Sequence, residues 1–130
     1  MKYLCFGYFD PQRMGALAQH EIDALMVQCR PHLEVLYASG KVDFDVGVVE
    51  QSKCLRLEKG NLIVTDSHGG PGSEMIGGAF LIEAQGMDEA VRVASLHPTT
   101  QVLAGEQLGW RIEIRPVHYF QLPGGPGNGV

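Results

Sequence analysis

The chain has 130 residues, 45% of them hydrophobic, and its 10 basic residues against 15 acidic ones give a formal charge of -5. That length suits one compact domain with one core, and the scattered lysines and arginines form no stripe for a phosphate backbone, which argues against a nucleic-acid partner. No window approaches the roughly 18 uninterrupted apolar residues of a membrane span, and Cys5, Cys29 and Cys54, far apart and without Cys-x-x-Cys spacing, read as small buried hydrophobes in a reducing cytoplasm.

The N-terminus, MKYLCFGYFDPQ, reads as a strand and not as a signal peptide. Lys2, Leu4, Phe6 and Tyr8 fall on one side of it, Tyr3, Cys5 and Gly7 on the other. After Asp10-Pro11, Ala18, Ile22, Leu25, Cys29, Leu33 and Leu36 recur at steps of three or four and predict one long helix ending near Ser39-Gly40. Pro31 lies inside that pattern and should kink the helix or split it. Val42 to Val49 reads as a strand weakened by Gly47.

Next, Leu55 and Leu57 alternate with Arg56 and Glu58, and Lys59-Gly60-Asn61 turns the chain back through Leu62, Ile63 and Val64, which predicts a β-hairpin. A glycine-rich loop, TDSHGGPGSEMI, leads into the strand GGAFLIEA; a helix follows from Met87 and is stopped by Pro98. GWRIEIRPV alternates as a last strand, and residues 121–130, with almost nothing to bury, read as a flexible tail after a single domain spanning 1–120.

This order predicts an α+β fold: a ferredoxin-like sandwich with an antiparallel sheet covered on one face by two helices, plus an extra β-hairpin. The apolar sides of the last strand (Ile112, Ile114) and of the hairpin (Leu55, Leu57) should meet the helices. The other sheet face carries charges and also large apolar groups, Phe80 or Leu81 according to register. Such a mixed face predicts a homodimer packed sheet to sheet, the alternative being a solvated face with surface ion pairs.

Within the loop, Asp66 and His68 stand two apart, so in an extended segment they share a side and can act as a proton-transfer pair. Glu74 is a further acid or base. Arg56 and Arg115, with Glu113 between the last strand's arginines, suit a carboxylate ligand through paired hydrogen bonds. Each has a plainer use: Asp66 in an Asx turn, His68 as a solvated loop residue, Glu74 as a backbone cap, the arginines in ion pairs with Glu113 or Glu58. The glycines lack the spacing of a P-loop or a dinucleotide fingerprint, the histidines lack metal-ligand spacing, and no nucleophile elbow is present. Neither cofactor nor metal is therefore expected.

Thr65-Asp66, Gly77-Gly78, the strand FLIEA and the closing IEIRPV together resemble the YCII-related proteins of the DGPF type, over nearly the whole chain up to Val117. In that resemblance Asp66, Glu74 and Gly77-Gly78 take the motif's aspartate, second glutamate and glycine pair, Arg56 matches its Val-Arg, and Glu113, Arg115 and Pro116 its closing Glu-Val-Arg-Pro. The resemblance implies a dimeric α/β barrel, in a superfamily that includes isomerases, dehalogenases and monooxygenases of small organic molecules, and a histidine-aspartate active site. Ser67-His68-Gly69-Gly70-Pro71 stands where the family has Gly-Pro-Phe-Ala-Glu, so the motif's aromatic and first glutamate are missing here. Two functions are expected: an acid-base enzyme without cofactor acting on a small anionic molecule in a sheet-face cleft, or a non-catalytic ligand-binding or regulatory dimer.

Overall fold

The computed structural model describes residues 1–66 and 74–124. In chain order the elements are β1 (Lys2–Phe9), α1 (Pro11–Gly15), α2 (Gln19–Ala38), β2 (Val42–Gly47), β3 (Lys53–Glu58), β4 (Asn61–Asp66), β5 (Met75–Glu83), α3 (Met87–Ala94), α4 (Pro98–Gln101), α5 (Ala104–Gln107) and β6 (Arg111–Pro116). Four strands form an antiparallel sheet in the order β2-β5-β1-β6. This is the ferredoxin-like plan, with β3 and β4 paired apart from it as a hairpin.

Period-two alternation in the strands produces the layers. Tyr3 and Cys5 of β1, Phe80 and Ile82 of β5 and Ala84 just after it are buried against Leu36 of α2 and Ala90, Val93 and Ala94 of α3, so both helices cover one face. Ile112 and Ile114 of β6 join the same core. A second cluster, Leu25, Cys29, Val102 and Leu108, ties α2 to the segment around α4 and α5. Burying one such leucine contributes about 1.5–3 kcal/mol, so these clusters fix where the helices lie.

The long helix is divided, but not at Pro31. Asp10 caps α1 by accepting from the backbone of Gln12 and Arg13, with Pro11 in the first turn where its missing N–H costs nothing. The chain then breaks at Ala16–Ala18 and α2 restarts, the Glu21 carboxylate accepting from the Ala18 N–H at 2.9 Å. Pro31 sits within α2 on its exposed side. There water can satisfy the carbonyl that loses its partner.

The sequence expectation also needs correction at the hairpin, at Cys54 and at Pro98. Leu55 and Leu57 do not meet the helices; they are 66% and 76% exposed, because among the described residues β3 and β4 pair only with each other. Cys54, on the same hairpin, is exposed, whereas Cys5 and Cys29 are buried. Pro98 does not simply stop a helix; it opens α4. The strand from Val42 ends at Gly47 rather than Val49. No helix among the described residues is long and apolar enough to cross a membrane.

Candidate functional site

An irregular register in β2 positions the site. Val42 lies opposite Ile82, but Phe44 lies opposite Leu81 and Asp45 opposite Phe80, so one extra residue is accommodated between Val42 and Phe44. A bulge of this kind moves every later side chain to the other face. Asp45 thereby joins Phe80 on the helix-covered side, and Phe44 and Val46 turn to the open side.

On the covered side lies a cavity of about 310 Å³. Met26, Cys29 and Leu33 of α2 line it from above, with Phe80, Trp110 and the His97–Thr99 segment around it. Gly7, Gly47, Gly77 and Gly78 line it along the strands. Four titratable residues among those described line it: Tyr8 of β1, Cys29 of α2, His97 just before α4, and Asp45 of β2, which remains exposed to solvent.

His97 is held in a defined state. Its ring stacks on Phe80, and its Nδ1 accepts the Thr99 backbone N–H at 3.1 Å, the N-cap contact of α4. A neutral imidazole whose Nδ1 accepts must carry its proton on Nε2. Burial pushes the His97 pKa below the ordinary histidine value, opposed in part by the negative charge of Asp45. At neutral pH the group is an uncharged N–H donor.

Asp45 accepts a hydrogen bond from the Tyr37 hydroxyl, which comes from the last turn of α2. That bond, then burial and the carboxylate's charge, push the Tyr37 phenol up to about 12, so it stays protonated and keeps donating. The second Asp45 oxygen takes no part in that bond. The cavity thus offers a neutral N–H that can polarise an oxygen and a carboxylate that can accept a proton.

The residues singled out in the sequence lie elsewhere. Asp66 ends β4 and pairs with Lys53 directly opposite it in the hairpin, its side chain 83% exposed. Arg56 pairs with Glu58 at 3.2 Å on that same exposed hairpin. Glu74 is held by both Nε and Nη2 of Arg111, at 2.7 and 2.9 Å, which lowers its carboxyl pKa and raises that of the guanidinium. Glu113 accepts from the Tyr8 hydroxyl at 3.3 Å, and the Arg111 guanidinium lies over the Tyr8 ring. Arg115 stands opposite Leu4 on the far side of the sheet from β2, so it and Arg56 belong to different sheets.

None of Asp66, Glu74, Arg56, Glu113 and Arg115 lines the cavity. His68 lies outside the described residues. Among the described residues no group of three or more histidine, cysteine, aspartate or glutamate side chains converges as a metal site.

Sequence reasoning missed Asp45, Tyr37 and His97. For His97 a signal existed: a titratable side chain immediately before Pro98, at a helix N-cap, has its ring nitrogen aimed at the first backbone N–H groups.

The family model for the YCII-related domain matches residues 1–109. No curated protein matches the chain. Among solved structures the chain is similar to 5-chloro-2-hydroxyhydroquinone dehydrochlorinase (TftG) from Burkholderia phenoliruptrix AC1100, in its complex with 2,5-dihydroxybenzoquinone. The identity is 18% and the TM-score 0.48, over 92% of this chain and 96% of that one.

Proposed function

The chain belongs to the YCII-related domain family, and on that premise we propose that it is an acid-base enzyme, working without a cofactor on a small organic molecule in the cavity beneath α2. The observation that carries this reading is the pairing, in one cavity, of a neutral His97 whose proton is on Nε2 with the Asp45 carboxylate. Asp45 takes a proton from the substrate, His97 donates a hydrogen bond to the oxygen on which charge develops, and Tyr37 holds the carboxylate in place. The pair Asp66 and His68 is retained as a second candidate for proton transfer, and the variants below separate the two.

The test is hydrogen exchange into enolisable ketones and phenols in D2O, read by proton NMR, with the full chain. Exchange faster than buffer, lost in Asp45→Asn and reduced at least tenfold in His97→Gln but kept in Asp66→Asn, is the expected result. Exchange lost only in Asp66→Asn would move the chemistry to the loop. Saturable binding with no exchange would make the protein a non-catalytic binding module.

The proposal extends to the assembly. Leu4, Phe6, Phe44, Val46 and Leu81 share the sheet face away from the helices, where Leu81 is already buried and Phe44 and Val46 are exposed. The hairpin adds cross-strand pairs Leu55 with Val64 and Leu57 with Leu62, all exposed on one side. A two-stranded hairpin is at best marginally stable alone. A second copy of this chain, packed sheet to sheet, covers both surfaces and gives the dimeric α/β barrel. In this reading the dimer works in the reducing cytoplasm, with Cys5, Cys29 and Cys54 as free thiols.

A further inference from the structure

The cavity lies where side chains are missing. Gly47 is opposite Gly78 and Gly78 is opposite Gly7, a row across β2, β5 and β1. Beside it, two residues further along each strand, stand Asp45, Phe80 and Cys5. A methyl added at Gly7 or Gly47 would meet a backbone oxygen at an ordinary contact distance, 3.8 or 3.9 Å, so either position could carry one without the backbone moving. The floor is bare backbone, which a flat ring can approach closely.

The walls add chemistry to that shape. Phe9, Met26, Leu33, Phe80 and Trp110 present apolar and aromatic surface, and among the described residues Asp45 is the one charged side chain lining the cavity. An anion would face Asp45 with no lysine or arginine to neutralise it. A cation would leave the Nε2–H of His97 without an acceptor. A hydroxyl satisfies both groups, donating to the carboxylate and accepting from the imidazole.

Resting on the acid-base reading of this cavity, we propose that its ligand is an uncharged, flat ring bearing a hydroxyl group, and that Gly7 and Gly47 set the width of the slot. This departs from the anionic substrate that the arginines suggested in the sequence.

Trp110, the chain's single tryptophan, lines the cavity, so its fluorescence reports occupancy. The full chain is titrated with phenol, benzoate and benzylamine, and cyclohexanol is tested by competition with phenol. Saturable quenching by phenol is expected, at least tenfold tighter than benzoate or benzylamine and severalfold tighter than cyclohexanol. Gly7→Ala should weaken phenol severalfold and Gly7→Val at least tenfold, while Gly15→Ala, whose added methyl meets nothing within 4 Å, changes nothing. Melting curves confirm that each variant is folded.

Benzoate or benzylamine binding as tightly as phenol, or a folded Gly7→Val with wild-type phenol affinity, overturns the proposal. The two readings fail separately. Selective phenol binding without deuterium exchange into any compound sinks the enzyme and leaves the slot. Exchange that depends on Asp45, with no saturable phenol binding, sinks the slot alone.

Discussion

The imidazole of His97 lies flat on the ring of Phe80, with centroids 4.8 Å apart and planes 2° from parallel. One face of the imidazole is therefore covered by the core, and the Thr99 N–H holds one edge, so a proton added to Nδ1 must break a hydrogen bond. Burial already disfavours the cation. The folded protein keeps His97 neutral below the ordinary histidine value of 6.5, where the unfolded chain takes up a proton. The contribution of neutral His97 is thus full above 6.5 and is lost as pH falls below it, at a slope of at most about 1.4 kcal/mol per pH unit. Urea unfolding at pH 7.5 and pH 5.5 should show a smaller pH dependence in His97→Gln than in wild type.

Leu36 is fully buried between the sheet and α3. Its truncation in Leu36→Ala removes transfer energy and leaves a cavity, at a cost of about 2–5 kcal/mol. Val91→Ala, on the exposed side of α3, should cost under about 0.5 kcal/mol by the same denaturant titration.

Two glycines of the same row should behave differently. A methyl at Gly78 would meet the Val46 carbonyl oxygen at 2.7 Å, so β2 must move, and Gly78→Ala should destabilise by about 1–3 kcal/mol. Gly7→Ala meets only ordinary contact distance and should leave the melting temperature near that of wild type.

For the assembly, the wild-type chain should sediment as a dimer at micromolar concentration. Phe44→Asp places a charge on the open sheet face and should shift the species to monomer, and Leu57→Asp on the hairpin should weaken the dimer as well. A monomeric wild type, or a dimer indifferent to both changes, would remove the sheet-to-sheet arrangement.

The layered fold was legible because its signals are local and periodic. Alternation in β1 and β6 and the spacing of Leu25, Cys29 and Leu36 report directly which side is buried. The hairpin turn was equally local, with Lys59 and Gly60 at positive φ. What those residues touch was not local. The apolar side of β3 carries the alternation of a core strand, yet among the described residues no element of its own chain covers it.

The site was hidden by one bulge. Plain alternation in VDFDVG puts Val42, Phe44 and Val46 together and sends both aspartates to the opposite face. The irregularity at Asp43 instead leaves Val42 packed against the core, turns Phe44 outward and brings Asp45 to the α2 side of the sheet, where it stays exposed at the cavity. A bulge follows from how β2 meets β5, which the strand's own sequence does not encode. The loop around Asp66 drew attention through its composition, whereas His97 owes its role to Phe80, seventeen positions away, and to the helix start that follows it.

The most direct test of the account is a nitrogen-15 NMR titration of His97 in wild type and in Asp45→Asn, with the resonances assigned through His97→Gln. The account predicts a neutral ring protonated on Nε2 at pH 7, a wild-type pKa below 6.5, and a further fall when the Asp45 charge is removed, since that charge favours the cation. A proton on Nδ1, or a His97 pKa that does not change in Asp45→Asn, would contradict it: the two groups would then not form one site.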